Sequence, residues 1–220
     1  MNLFVTGTCT GVGKTVVTAA LAAALPGEVR ALKVVATGVP EGEVGEDADI
    51  LGRAAGHAPL VYRCWEPPLS PHRAAQIRGD PLPMAEVEAW LKKEGGEHTL
   101  VEGVGGWRVP VGWDWAISDL ALALGYPVLV AAPNQLGVLN HTLLTVESIL
   151  ARGMRVAGVV LNQLPGSPES QAMQYNFQDL GCLLPGISVA CFPSLPDLST
   201  DTLARAGRTL LGDLASGQSE

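Results

Sequence analysis

The sequence predicts an α/β protein: a doubly wound, mostly parallel sheet with helices on both faces. Three observations carry that expectation. Short apolar runs recur along the 220 residues, separated by stretches with helical spacing. Several runs are apolar at consecutive positions, the mark of strands buried on both faces. The first run leads into a glycine-rich turn that opens directly onto a helical pattern. Right-handed crossovers between parallel strands satisfy all three, and such sheets bind ligands beyond the carboxyl ends of their strands.

The elements follow in order. Residues 3–5 (Leu3-Phe4-Val5) form the first strand and 14–25 the first helix. Between them lies Gly7-Thr8-Cys9-Thr10-Gly11-Val12-Gly13-Lys14-Thr15. The glycines let backbone N–H groups curl round phosphate oxygens, Lys14 places a cation on the outer phosphates, and the Thr15 hydroxyl suits magnesium. The plain alternative is a glycine turn with an exposed lysine; the flanking strand and helix favour nucleotide binding. Thr8 stands where the first glycine of the usual spacing would be, so the loop is a variant.

The second strand, 29–36, is interrupted by Lys33. A buried, unpaired ammonium costs several kcal/mol, so Lys33 either snorkels to an edge or faces an anion. Thr37-Gly38 end that strand, where a hydroxyl and open backbone meet a ligand. Residues 39–83 are rich in Pro and Gly and read as an irregular active-site insertion within one domain spanning 1–215, with a helix over 47–55. Asp47 and Asp49 begin that helix, as N-terminal dipole partners or as metal ligands. Ser70-Pro71-His72-Arg73 leads into a short helix, and 84–94 forms another.

The strand 99–101 closes on Glu102, followed by Gly103-Val104-Gly105-Gly106-Trp107. A carboxylate at a buried strand end near a phosphate loop is where nucleotide enzymes hold magnesium; the alternative is an acid in a turn. A helix over 117–124 and a strand over 128–132 come next, then Gly137 and Asn140 at the start of helix 139–152, whose free N–H groups suit a carboxylate. Asn162 ends strand 156–161 with an amide suited to a base edge. The segment Asn162-Gln163-Leu164-Pro165 lacks the Asn-Lys-x-Asp of guanine readers, which favours adenine. Helix 170–180, strand 188–192, helix 202–214 and a frayed tail, 216–220, complete the chain.

A net charge of −8 with scattered basic residues argues against nucleic acid as a partner. No apolar run is long enough to span a bilayer, and the first strand follows Met1 closely, so the expected location is cytoplasmic, without membrane contact. Cys9, Cys64, Cys182 and Cys191 have no zinc-site or disulfide spacing. Cys9 stands out because it lies inside the phosphate loop.

Taken together, the segments from Gly7 to Thr15, from Lys33 to Gly38, around Asp47, Ser70-Pro71-His72-Arg73-Ala74-Ala75, Glu102-Gly103-Val104-Gly105-Gly106-Trp107, Leu136-Gly137 with Asn140-His141, and Asn162 resemble the ATP-dependent dethiobiotin synthetases, with a P-loop NTPase-like fold. The resemblance implies ATP- and magnesium-dependent carboxylation of 7,8-diaminopelargonic acid with CO2, closing a cyclic urea in biotin synthesis. It implies Lys14, Lys33 and Thr10 in catalysis, and Gly11, Val12, Gly13, Lys14, Thr15 and Asn162 on ATP. It implies Thr15, Asp47 and Glu102 on the metal, and Thr10, Lys33, Thr37, Ser70, Gly137 and Asn140 on substrate. It also implies a homodimer in which Gly137–Asn140 serve the other subunit. The chain departs from the pattern at Cys9, where an acid is usual, and at Val34, where proline is usual. Two other classes share the loop: cobyrinate-type amide synthetases, whose glutaminase domain has no room here, and partitioning-type switch ATPases, whose early loop lysine is missing.

Overall fold

The computed structural model describes residues 1–166 and 171–216. Seven strands are joined by helices: β1 (Asn2–Gly7), β2 (Val29–Thr37), β3 (Val61–Trp65), β4 (His98–Glu102), β5 (Val128–Pro133), β6 (Val156–Asn162) and β7 (Val189–Phe192). The helices are α1 (Lys14–Ala24), α2 (Glu46–Ala55), α3 (Pro71–Arg78), α4 (Met84–Glu94), α5 (Ile117–Leu124), α6 (Val138–Leu150), α7 (Gln171–Leu183) and α8 (Thr200–Ser216). The strands form one sheet of order β3-β2-β4-β1-β5-β6-β7, with every neighbouring pair parallel. β1 sits between β4 and β5, where strand order reverses, so the glycine-rich loop leaves the sheet at its topological switch point.

Alternation along each strand builds two cores. Leu3 and Val5 pack with α1, α2 and α8 through Val17, Leu21, Leu51, Leu203 and Leu210. Phe4, Leu32, Val34 and Val101 face the other way, against Val87, Leu91, Ile117, Leu120, Val146 and Ile149. Lys33, between Leu32 and Val34, therefore points to the face that carries α1 and α2. The helix after the phosphate loop is held tightly there. At Gly207 of α8 an added Cβ would lie 1.9 Å from the Ala20 carbonyl oxygen of α1, so the two backbones touch.

One expectation needs correcting. The segment 39–83 is not merely irregular: it supplies β3, which pairs with β2 through Lys33↔Val61, Val35↔Arg63, Ala36↔Cys64 and Thr37↔Trp65. This edge strand has five residues, of which only Trp65 is buried, so it offers no apolar run to the reader of the sequence. Position 170 of the helix expected over 170–180 lies outside the described residues. So do 217–220 of the expected tail, whose first residue, Ser216, closes α8.

Candidate active site

The phosphate loop meets α1 at Gly13, whose φ of 83° only glycine adopts without strain. No side chain caps the helix and its first turn holds no acid, so its leading N–H groups face the cleft free for an anion. An added Cβ at Gly13 would also fall 1.7 Å from Asn162 Nδ2. That amide donates to the Val12 carbonyl oxygen at 3.0 Å, and Asn162 is buried. The end of β6 thus braces the loop from below, a role in addition to the base reading expected of Asn162.

Lys14 folds back over the loop and donates to the Cys9 carbonyl oxygen at 3.3 Å. Burial and the neighbouring Lys33 charge push its pKa down to about 8. Lys33 and Glu102 stand directly opposite each other on β2 and β4, and strand register makes them a pair: Nζ lies 2.5 Å from Glu102 Oε1. Asp47, in the first turn of α2, closes on the same ammonium at 2.7 Å. The Thr15 hydroxyl lies 2.9 Å from Asp47 Oδ1 and 2.9 Å from Glu102 Oε1, within reach of donating to either. Burial works against the Lys33 charge, but Glu102 and Asp47 outweigh it and hold its pKa above the usual lysine value. Burial likewise opposes the Asp47 charge, and Lys33 overcomes it, keeping that carboxyl below the usual range. Glu102 is fully buried, and its Oε2 has no hydrogen-bond partner among the described residues. A buried acceptor oxygen without a donor, beside Thr15 and Asp47, is one that a hard cation could take.

These groups share one cleft of about 610 Å³. Thr10, Gly11 and Gly13 line it from the loop, Lys14 and Thr15 from α1, Lys33 and Thr37 from β2, Asp47 from α2 and Glu102 from β4. Val12 is buried beneath the loop. Ser70 lies outside the cleft, its Oγ 3.0 Å from His72 Nδ1. Gly137 and Asn140, at the start of α6, also stand apart from it. Asp49 is exposed and does not line the cleft; α2 presents Glu46, Asp47 and Ile50 to it, and of its acids Asp47 is the one that meets Lys33. Pro40, Glu43 and Gly45 form a wall that the sequence reading passed over; positive φ at Gly42 and Gly45 is the local signal, concealed in a stretch read only as irregular. Leu198 joins from the loop before α8 with no local signal at all.

Comparison with known proteins places this geometry in context. A family model described as an AAA domain matches residues 1–202. The chain is 44% identical over 182 residues to the ATP-dependent dethiobiotin synthetase BioD of Saccharopolyspora erythraea, covering 81% of this chain and 80% of the relative. It is 38% identical over 227 residues to the protein of the same name from Anaeromyxobacter dehalogenans, covering 98% and 97%. Among solved structures it is similar in fold to a plasmid partition protein of Borrelia burgdorferi B31 bound to AMPPNP, with a TM-score of 0.57 at 7% identity over 98% of both chains. The MinC:MinD cell division complex of Aquifex aeolicus gives a TM-score of 0.55 at 13% identity over 96% of both chains. At such identities the two structures speak to fold alone.

Proposed function

The chain belongs to the ATP-dependent dethiobiotin synthetase family, and from that premise we propose that it closes the cyclic urea of dethiobiotin at the cleft described above. The reaction is a ligation driven by ATP. One amine of 7,8-diaminopelargonic acid adds to CO2 and loses a proton, giving a carbamate. A carbamate oxygen attacks the γ-phosphorus and ADP leaves. The second amine then attacks the carbonyl of the carbamic–phosphoric anhydride, loses its proton and expels phosphate.

The observation that carries this reading is the pair of lysines on one cavity. Carbamate and γ-phosphate are both anions, and two unit charges about 4 Å apart repel by roughly 4 kcal/mol at an effective dielectric near 20. Lys14 and Lys33 line the same cleft as the free helix start and offset that repulsion as charge spreads over the transferring phosphoryl group. Thr10 and Thr37 hydrogen-bond the carbamate and phosphate. No protein nucleophile is required, since both attacking atoms belong to the substrate, and catalysis is positioning plus electrostatics.

Magnesium fits the donor set. Thr15, Asp47 and Glu102 offer hard oxygen ligands, Glu102 Oε2 is buried without a partner among the described residues, and magnesium takes one or two carboxylates alongside substrate phosphates. Those three residues would hold it, and when bound it supplies charge neutralisation at the outer phosphates. Asn162, at the loop's back, is read on the ATP side. A homodimer is supported by large apolar side chains left in solvent beside and along α6: Leu136 is 84% exposed and Leu150 50%. In such a dimer Gly137 and Asn140 serve the substrate of the other copy. No helix among the described residues is long and apolar enough to cross a membrane.

Turnover tests the reading. ATP consumption by the purified protein should require both the diamine and bicarbonate, with dethiobiotin identified by mass. ATP hydrolysis indifferent to the diamine and stimulated by DNA or lipid vesicles would assign the chain to the switch ATPases instead.

A further inference from the structure

A second cleft, of about 410 Å³ and of a size for a small organic molecule, opens on the other side of the phosphate loop. Thr10 lines both clefts, so the two meet at that residue. From Cys9 and Thr10 the second cleft runs between apolar walls, Trp107, Val109 and Leu144, to Arg108. Trp107 is fixed in its wall: it is buried and its Nε1 donates to Ser148 Oγ at 3.1 Å.

Arg108 is held in an unusual way. Its Nη1 donates to Ser118 Oγ at 3.0 Å, and Arg152 Nη1 donates to the same wholly buried hydroxyl at 2.8 Å. Asp119 pairs with Arg152. Arg108 forms no ion pair among the described residues: Asp119 is taken by Arg152, and a net positive charge remains at the rim. One N–H of Arg108 is anchored on Ser118; its remaining donors are free for a planar anion.

A cation at one end, apolar walls along the middle and a phosphate-side hydroxyl at the other end match one ligand chemistry: an aliphatic chain with amines at its head and a carboxylate at its tail. We propose that Arg108 binds the distal carboxylate of the diamino acid from the same chain that holds its amines, making it a specificity-determining residue. This rests on the synthetase reading above. The helix start at Gly137 of a second copy can serve the same carboxylate, and Arg108 adds a same-chain anchor. The anchor discriminates against uncharged tails, because an Arg–carboxylate pair supplies two parallel hydrogen bonds that an ester cannot match.

The test compares kcat/KM for 7,8-diaminopelargonic acid and for its methyl ester, in the wild type and in Arg108→Met. A hydrogen-bonded charge is worth about 10- to 100-fold in kcat/KM. The wild type should prefer the acid by that factor, and Arg108→Met should lose most of the preference by a fall in the acid value alone. Arg108→Lys, which keeps the charge without the planar fork, should retain part of it and guards against misfolding of the first variant. A merely structural Arg108 would lower both substrates together. Undiminished preference for the acid in both variants overturns the proposal. A wild type that makes no dethiobiotin from the acid overturns the synthetase reading instead, so the two failures are distinct.

Discussion

Raising the pH should weaken ATP binding through Lys14 while stabilising the empty protein. Burial and Lys33 bring the Lys14 pKa from 10.5 to about 8. Lys33 is raised by Glu102 and Asp47, so it stays charged through the same window. About nine-tenths of Lys14 is then protonated at pH 7 and about one-tenth at pH 9, by simple titration. If only the ammonium form holds the triphosphate at full strength, affinity falls about tenfold between pH 7 and pH 9. The bound polyanion restores the proton, so uptake per site rises from about 0.1 to about 0.9 across that interval. Stability moves the other way. Between pH 8 and 10.5 the unfolded chain binds more protons at this lysine than the folded one, so its contribution to unfolding free energy rises with pH, by about 2 kcal/mol at pH 9.5. Calorimetric titration with ATP in two buffers of different ionisation enthalpy reads both affinity and proton uptake, and urea unfolding of the empty protein reads the stability. Lys14→Arg, charged throughout, should remove the pH slope in affinity. A flat wild-type affinity from pH 7 to pH 9.5, or an unchanged slope in Lys14→Arg, refutes the argument.

Three other perturbations follow from the same geometry. Lys33→Met should abolish dethiobiotin formation and also cost about 3–5 kcal/mol in urea unfolding at neutral pH, because it strands the buried Glu102 carboxylate; Lys33→Met with Glu102→Gln should recover most of that stability without activity. Glu102→Gln alone should shift the magnesium dependence of turnover to higher concentration, measured by titrating the metal at fixed ATP, and an unshifted curve would remove Glu102 from the metal's ligands. Gly207→Ala should lower the melting temperature by separating α8 from α1, at a cost of about 1–3 kcal/mol, since its Cβ would sit 1.9 Å from the Ala20 carbonyl oxygen.

The legible parts of this chain are those whose physics is local. Consecutive apolar residues at 34–36 and 128–132 read as strands covered on both faces, and the glycine loop before Lys14 carries its own backbone geometry. Lys33 was conspicuous because a charge inside an apolar strand demands a partner. Its partner was not legible: Glu102 lies 69 residues away, and only the register of β2 against β4 sets them opposite. The same limit hid β3, whose single buried residue leaves no pattern, and Leu198, which reaches the cleft through the packing of α8. The amide of Asn162 stands out in the sequence, yet its bond to the Val12 carbonyl spans 150 residues and depends on β6 ending beside the loop.

Charge balance explains why the two lysines differ. Lys33 sits between Asp47 and Glu102, and the Thr15 hydroxyl reaches both carboxylates. Among the described residues Lys14 donates to the Cys9 carbonyl and forms no ion pair, so burial leaves its charge poorly compensated. Lys14 and Lys33 are balanced by Asp47 and Glu102, and Glu43 and Glu46 add negative charge at the wall of the cleft, yet the deficit of stabilisation is local to Lys14, beside the free N–H groups of α1. An arriving phosphate therefore gains most at Lys14 and least at Lys33, whose ammonium is already satisfied. A cation entering among Asp47, Glu102 and Thr15 would compete with Lys33 for the same oxygens and release it toward the substrate anions. Under this reading Lys14 is the grip on ATP, and Lys33 is a charge held in reserve by the acids that position it.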